Sequence, residues 1–244
     1  MGMSDDDVAA VVKAAEQLPR RSRDKRWTHL SLCVLDAVFA MRARYTAATN
    51  VCYAYARIAS LPHHLAPAPE VAAGDFAASE RSVAELASEI SASGPDAFAV
   101  AVSNRQPTAT RGRRVLKAEA ARQYAQKLAE HGVERLADVP VLLANPTGPS
   151  LDALESDLRR VPGHGQGVRL AYFWMLAGDD THVKADRMVL RWVGRVLGRR
   201  VNVPEATALV TEAADRLGCT PWELDHSIWR AESGRNVAPL TVAE

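Results

Sequence analysis

Apolar residues recur at intervals of three and four along most of this chain, the spacing that places them on one face of an α-helix. The stretch from Trp27 to Arg44 combines this pattern with few polar residues, which predicts a buried helix. Strand-like alternation is weak and confined to residues 96–102, which we interpret as either helix or extended chain. We therefore predict an all-α fold of about ten helices.

The ends of the predicted helices carry residues that favour helix termini. Ser4 precedes a helix predicted over residues 5–18, whose acidic first turn suits the helix dipole. Thr220 and Glu223 have the spacing of a capping box, with a proline at the first helical position. The proline-rich residues 61–69 predict a loop. The other helices are predicted at residues 51–58, 82–90, 116–131, 150–160, 166–177, 186–197, 204–217 and 221–232.

Positive charge is concentrated in three segments, although the formal net charge of the 244 residues is only +1. The basic segments are residues 20–60, 105–117 and 161–200. If the fold brings them together, we expect them to form an anion-binding face.

The three cysteines, Cys33, Cys52 and Cys219, lie far apart in the sequence. Their odd number argues against a disulfide framework, and three scattered cysteines cannot supply a four-thiolate cluster or a paired-cysteine zinc site, so we expect a reducing cytoplasm. The longest uninterrupted apolar run, residues 170–177, is too short to cross a bilayer. We therefore predict no membrane partner.

A glycine-rich turn of sequence V-P-G-H-G-Q-G lies between two predicted helices at residues 161–167. Its alternating glycines allow positive φ angles and leave backbone N–H groups uncovered at the start of the next helix. Such groups bind phosphate oxygens, and the helix dipole assists them. A tight turn without a ligand is the alternative. The residues predicted to bind nucleic acid are Gly163, His164, Gly165, Gln166 and Gly167.

This turn and the segment after it resemble the helix-hairpin-helix DNA glycosylase superfamily. Members of that superfamily carry a Leu-Pro-Gly-x-Gly hairpin, a helix, a loop containing Gly or Pro, and then one catalytic Asp at a helix start. Here V-P-G-H-G corresponds to the hairpin, an apolar helix ends at Gly178, and an aspartate follows. The resemblance covers residues 150–200, and elsewhere only the helical content and the length agree with the superfamily.

Two aspartates compete for the catalytic position. Asp180 begins the string Asp-Thr-His-Val, which is similar to the endonuclease III branch, but it follows Gly163 by only seventeen residues. Asp186 follows Gly163 by twenty-three residues, closer to the spacing that the resemblance implies, and precedes the apolar stripe of a helix. We therefore assign the catalytic role to Asp186 rather than Asp180. A plain helix cap at Asp186 is the alternative.

Arginines recur at every fourth residue after Asp186, at Arg187, Arg191, Arg195 and Arg199. On a helix this spacing forms one ridge. The ridge is either a solvated face or a contact surface for DNA phosphates. We expect Arg187 and Arg191 to contact DNA.

Enzymes of this kind flip the target base out of the duplex and hold it in a pocket by stacking and hydrogen bonds. Asp36 is a candidate for this pocket because a carboxylate in an otherwise apolar helix needs a partner. Core packing is the alternative for every aromatic candidate. The proposed base-pocket residues are Asp36, Tyr45, Tyr172 and Trp174, with Trp27, Tyr53 and Tyr55 as further aromatic candidates.

Departures from the superfamily pattern narrow the expected chemistry. Bifunctional lyases carry a Schiff-base lysine at the end of the hairpin, where this chain has Gly167, so we expect a monofunctional enzyme. The cysteines cannot hold an iron–sulfur cluster, and the histidines lack ligand spacing, so we predict no catalytic metal. The resemblance implies at most a monovalent cation held by hairpin carbonyl groups.

The resemblance implies two helical lobes. Residues 25–178 are expected to form a barrel-like lobe that ends in the hairpin, and residues 1–24 with 179–244 a second lobe. The expected activity is hydrolysis of the N-glycosidic bond of a flipped, modified or damaged base in double-stranded DNA, as in base excision repair. A non-enzymatic helix-hairpin-helix DNA-binding protein is the alternative, and a helical protein-interaction domain is the third interpretation.

Overall fold

The computed structural model describes residues 4–43, 45–109, 114–144 and 149–233. Within these ranges the protein is mostly helical, with thirteen α-helices and two three-residue strands, which confirms the predicted all-α class. The chain divides into a central unit, Asp24–Gly178, and a flanking unit made of Met1–Arg23 and Asp179–Glu244. No described helix is both long enough and apolar enough to span a membrane.

The central unit contains nine of the helices and both strands. In chain order they are β1 (Lys25–Trp27), α2 (Leu30–Ala40), α3 (Tyr45–Ile58), β2 (Leu65–Pro67), α4 (Ala68–Ala73), α5 (Val83–Ser93), α6 (Pro95–Ala101), α7 (Lys117–Glu130), α8 (Asp138–Leu143), α9 (Pro149–Arg160) and α10 (Val168–Ala177).

Helix α2 forms the middle of the central unit. Every residue from Leu30 to Phe39 is buried, because the sequence of this helix is apolar on nearly all sides. Helices α3, α5, α7 and α10 pack around it. At its C-terminal end, Lys117 Nζ donates hydrogen bonds to the carbonyl oxygens of Phe39 (3.0 Å) and Met41 (2.6 Å). Burial lowers the pKa of Lys117 to about 8.

The two strands correct the sequence prediction for this region. Trp27 does not begin a helix but ends β1, which pairs antiparallel with β2 so that Trp27 lies opposite Leu65. The helix therefore begins only at Leu30, and the predicted proline-rich loop contains β2. Residues 96–102 are largely helical, since α6 covers Pro95–Ala101.

The flanking unit contains the other four helices, α1 (Asp5–Ala15), α11 (Arg187–Leu197), α12 (Val203–Arg216) and α13 (Pro221–Ser233). Helix α1 packs against α11 and α12, where its Val8 and Val11 join an apolar core with Trp192 and Val210.

Both predicted caps of this unit are confirmed. Ser4 Oγ accepts a hydrogen bond from the N–H of Asp7 at 3.1 Å. Thr220 Oγ1 accepts the N–H of Glu223 at 3.2 Å, while Glu223 Oε2 accepts the N–H of Thr220 at 2.9 Å. Each cap satisfies N–H groups that the first helical turn leaves without partners.

Candidate acid site and nucleic-acid interface

The 161–167 turn leads from α9 into α10 and is held by one buried arginine. Arg169 is 1% exposed, and its guanidinium donates to the carbonyl oxygens of Leu158 (3.0 Å), Val161 (2.8 Å) and Pro162 (2.7 Å). Val161 and Pro162 follow the last residue of α9, and the Leu158 carbonyl also accepts the Val161 N–H at 3.3 Å. Burial lowers the pKa of Arg169. Sequence analysis missed this role, because an arginine in an apolar helix gives no indication of which carbonyl groups it reaches.

The glycines of the turn serve different purposes. Gly163 has φ +85°, and a Cβ on it would lie 2.9 Å from the Cβ of Thr108, so packing requires glycine here. The segment Gly165–Gly167 is a single 3-10 turn. Its last residue has φ +90° and caps α10, and a Cβ there would meet nothing within 4 Å. The backbone at this last residue is therefore open to a ligand. The side chains of His164 and Gln166 are exposed.

The turn does not fit the monovalent cation that the resemblance implies. The carbonyl oxygens of Val161 and Pro162 already accept hydrogen bonds from the positively charged side chain of Arg169. The His164 carbonyl accepts the Arg169 backbone N–H at 3.4 Å. A second positive charge at these oxygens would be repelled by the guanidinium. Arg169 thus already occupies carbonyl oxygens of the turn that a cation would need.

Asp186 caps helix α11. Its Oδ1 accepts hydrogen bonds from the N–H groups of Met188 at 2.7 Å and Val189 at 3.4 Å. The carboxylate is partly exposed, and the helix dipole favours a negative charge at this end. The bonded oxygen fixes the orientation of the group, which both the catalytic role and the plain-cap alternative require.

The competing aspartate, Asp180, has a positively charged partner. Its Oδ1 accepts a hydrogen bond from Arg23 at 2.6 Å, and the Arg23 guanidinium also lies 4.2 Å from the centre of the Trp222 ring. The neighbouring Asp179 lies 2.9 Å from His182 Nδ1. Burial raises the pKa of Asp179, but His182 and Thr181 outweigh burial and lower it to about 2. The charges of this loop are therefore largely compensated.

A second acid lies close to Asp186 and was missed from the sequence. Asp225, on α13, is 5% exposed, and its Oδ2 has no hydrogen-bond partner among the described residues. Burial and the negative charge of Asp186 raise the pKa of Asp225 to about 8, against the opposing effect of Lys184. The available indication was an aspartate directly after the apolar Leu224 and three residues before the apolar Ile228 of the same helix.

Two of the four arginines along α11 form ion pairs with carboxylates, and two do not. Arg195 pairs with Glu232, and Arg199 pairs with both Asp7 and Glu205 at 2.6 Å. Arg187 and Arg191 are exposed and make no ion pair with any residue that the structure describes. Arg191 also lines a surface cavity of about 520 Å³ together with Gly194 and Arg200. The first half of the ridge is thus available to an anionic ligand.

Two of the predicted base-pocket residues lie together in the central unit. Asp36 Oδ1 accepts the hydroxyl of Tyr172 at 3.2 Å, and Oδ2 accepts Trp27 Nε1 at 2.9 Å. The Trp27 ring meets the ring of Tyr53 edge-on at 5.6 Å between centroids, and Tyr53 in turn meets His64 at 5.5 Å. This cluster satisfies the buried carboxylate as its apolar helix requires.

Of the other two base-pocket candidates, Trp174 does not join this cluster. Trp174 is fully buried in the core, where its Nε1 donates to Glu155 Oε1 at 2.9 Å. Core packing therefore accounts for Trp174. Tyr45 begins α3, and its side chain lies outside the described part of the protein.

Part of the basic segment at 105–117 also lies outside the described residues, since residues 110–113 do. In the described ranges, no group of three or more His, Cys, Asp or Glu side chains is placed to hold a metal ion. The expectation that catalysis needs no metal remains a prediction.

Comparison with curated proteins and with solved structures gives no match. Residues 6–233 match a protein family described as a domain of unknown function, DUF8548. This match extends over nearly all described residues of both units. The chain therefore belongs to the DUF8548 family.

Proposed function

We propose that this protein is a monofunctional DNA glycosylase that hydrolyses the N-glycosidic bond of a flipped, modified or damaged base in double-stranded DNA. The observation that carries the proposal is Asp186, a partly exposed carboxylate fixed at the start of α11 by two N–H groups. It stands at the spacing from the V-P-G-H-G turn that the helix-hairpin-helix resemblance implies. In this proposal the turn is the hairpin, and the protein acts in base excision repair in the cytoplasm.

The chemistry assigned to Asp186 follows from the charge that develops during the reaction. Breaking the bond between C1′ and the base gives an oxocarbenium-like transition state, which is positively charged at the sugar. A carboxylate held in one orientation stabilises this charge without reorganising during the reaction. The same group accepts a proton from the attacking water. Asp180 is less suited to both tasks because Arg23 already compensates its charge.

Binding to DNA is assigned to groups that contact phosphates rather than base edges. The open backbone at Gly167 and the start of α10 offers N–H groups at a helix N-terminus, which favour phosphate oxygens. Arg187 and Arg191 add positive charge that no described carboxylate neutralises. Such contacts give sequence-independent affinity that falls as salt rises.

The flipped base is assigned to the cluster of Asp36, Trp27, Tyr53 and Tyr172. Tyr53 and Tyr172 are partly exposed, and Asp36 holds the side chains of Trp27 and Tyr172 in place by accepting the indole N–H and the hydroxyl. Aromatic faces and oriented polar groups are what a flipped base requires of its pocket.

The proposal is tested by incubating the full chain with a panel of duplexes that carry single modified or damaged bases. Heating in alkali then cleaves any abasic site. We expect one or more substrates to give strand breaks only after alkali, because Gly167 stands where a lyase would need lysine. Asp186→Asn should reduce excision on that substrate by about a hundredfold or more. Asp180→Asn and Asp215→Asn serve as controls and should retain excision, since Asp180 is paired with Arg23 and Asp215 is an exposed residue of α12.

The competing proposal is a helix-hairpin-helix protein that binds DNA without catalysis. It is favoured by the same unpaired Arg187 and Arg191 and by the open backbone at Gly167, none of which requires an acid. Salt-dependent duplex binding with no excision from any substrate of the panel would support it. Excision that survives Asp186→Asn but not Asp180→Asn would instead move the catalytic role to Asp180.

A further inference from the structure

A surface cavity of about 760 Å³ lies in the central unit between helix α3 and the loop that follows α6. Its lining combines small apolar side chains with hydrogen-bonding ones, and none of the described residues that form it carries a carboxylate. Cavities of this size and mixed character are typical of sites for small organic molecules. The polar lining residues include Asn50 and Arg57 of α3 and Asn104, Arg105 and Gln106 of the loop.

The two amide side chains of the loop are oriented so that their NH₂ groups remain for a ligand. The backbone N–H of Gln106 donates to Asn104 Oδ1 at 3.1 Å, and Lys117 Nζ donates to Gln106 Oε1 at 3.0 Å. Because an N–H group and an ammonium can only donate, both contacts identify the amide oxygens. The NH₂ groups of Asn104 and Gln106 make no hydrogen bond with any residue that the structure describes, although Asn104 is only 9% exposed. The loop therefore offers hydrogen-bond donors to a molecule in the cavity.

The charged groups that line the cavity are positive. Arg57 is exposed and forms no ion pair with a described residue. Arg105 pairs with Asp96 at 3.4 Å, but both side chains are largely exposed, so the pair is weak and another anion can replace Asp96. The buried ammonium of Lys117 adds a positive charge behind Gln106. Guanidinium groups and amide donors without a competing carboxylate in the lining suit a phosphate group.

The remainder of the lining is apolar and indicates what the phosphate is attached to. Val51 and Ala54 of α3 and Val102 after α6 are buried side chains that line the cavity. Inorganic phosphate would leave this wall without a partner. A sugar phosphate needs acceptors for its hydroxyl groups, whereas the loop amides present donors. A nucleobase has weakly polar faces, and its ring nitrogens and carbonyl oxygens accept hydrogen bonds.

We propose that this cavity binds a nucleotide, whose phosphate contacts Arg57 and Arg105 and whose base packs on the apolar wall and accepts from the Asn104 amide. The shared ligand chemistry is a nucleoside monophosphate unit, free or as part of a nucleic-acid strand. The site uses no residue of the flanking unit, so this inference does not depend on Asp186 or on excision. Tyr53 also lines the cavity, which therefore borders the aromatic cluster of Trp27 and Tyr53.

The ligand class is tested by calorimetric titration of the full chain with each of the deoxynucleoside 5′-monophosphates. The matching nucleosides, deoxyribose 5-phosphate and inorganic phosphate are the controls. We expect at least one nucleotide to bind at least about tenfold more tightly than every control, because each control lacks either the phosphate or the base. Equal affinity for nucleotide and inorganic phosphate, or no nucleotide binding at millimolar concentration, would overturn the proposal.

Two variants test the location of the nucleotide. Asn104→Asp keeps an oxygen that accepts the Gln106 N–H but replaces the NH₂ donor by a negatively charged oxygen, so nucleotide affinity should fall at least about tenfold. Arg57→Gln, at an exposed position, should give a similar loss. Arg160→Gln on α9 is the control, because this exposed arginine of the same unit does not line the cavity. Unchanged affinity in both Asn104→Asp and Arg57→Gln would reject this site.

A competition experiment distinguishes the two sources of the nucleotide. A single-stranded oligonucleotide without terminal phosphates should displace the bound nucleotide if the cavity takes part of a strand, and should leave it bound if the cavity takes a free nucleotide. The double variant Arg187→Gln with Arg191→Gln should keep nucleotide affinity, since neither residue lines the cavity. Nucleotide binding by a protein that excises no base would reject the proposed function and keep this site. Excision by a protein that binds no nucleotide would do the reverse.

Discussion

A Cβ atom on Gly163 would lie 2.9 Å from the Cβ of Thr108, closer than two side chains can pack. The glycine of the V-P-G-H-G turn is therefore required by the interior of the central unit and by its φ of +85°. It was expected to serve mainly as an open approach for phosphate. The open position is instead Gly167, four residues further on.

Gly163→Ala should destabilise the protein more than Gly132→Ala. Both glycines have positive φ, but a Cβ on Gly132 would meet nothing within 4 Å, so this variant measures backbone strain alone, about 1 kcal/mol. Alanine at 163 adds the clash with Thr108, and we expect a total loss of about 2–4 kcal/mol. Urea unfolding of the two variants checks this. If both variants lose the same unfolding free energy, the Thr108 side chain can move away from the added methyl group without destabilising the protein.

Replacing both Arg187 and Arg191 by glutamine should weaken binding to duplex DNA of any base sequence. Each arginine that contacts a phosphate contributes about 0.9 to the slope of log affinity against log salt, so this slope should fall by roughly 2. The double variant Arg195→Gln with Arg199→Gln is the control, because both residues are ion-paired to carboxylates. Fluorescence anisotropy between about 50 and 200 mM salt measures the slopes. Equal slopes for the two variants would rule out phosphate contacts at Arg187 and Arg191.

Arg169→Met should cost about 3 kcal/mol or more of unfolding free energy. The variant keeps the approximate volume of the side chain but removes the guanidinium donor from the carbonyl oxygens of Val161 and Pro162, while the Leu158 carbonyl keeps the N–H of Val161. Arg159→Met on α9 removes an arginine from an exposed pair with Glu155 and should cost less than about 1 kcal/mol. Denaturant unfolding distinguishes them. A loss no larger than that of Arg159→Met would mean that water replaces the guanidinium.

Asp225 should make the protein less stable as pH rises from about 4 to 8. Its pKa is raised from 3.8 to about 8 on folding, so in this window the folded state holds a proton that the unfolded state has released. The stabilising contribution is thus complete below about pH 4 and is lost as pH approaches 8, with a slope of at most about 1.4 kcal/mol per pH unit. Urea unfolding should show that the stability of Asp225→Asn relative to wild type increases across this range. A pH-independent difference would contradict the expected protonation.

The helices were predictable where a local rule determines them. Ser4 and the pair Thr220 and Glu223 cap their helices through contacts within one turn, and Gly178 ends α10 with a φ of +113° as a glycine at that position predicts. Strand β1 was missed because Trp27 pairs with Leu65, a partner that periodicity within one segment cannot identify.

The residues of the candidate site also fall into those that local sequence predicts and those that only the fold brings together. Asp186 could be placed at a helix start because the apolar stripe of α11 follows it directly. Asp225 could not be linked to it, since their proximity arises only when α13 packs against α11. Asp36 was recognised as a carboxylate in need of partners, but only the fold shows that Trp27 and Tyr172 supply them.

The split of the flanking unit in the sequence has a consequence during synthesis on the ribosome. All helices of the central unit precede Gly178, so this unit can close while α11 and α12 have not yet been made. Helix α1, in contrast, is synthesised long before its partner helix α12. The ribosome must translate the residues from Ala15 to Val203 first, which takes on the order of ten seconds or more. Throughout that time Val8 and Val11 lack the residues that will cover them. The nascent chain therefore presents a short apolar stripe that chaperones can bind until the last third is complete.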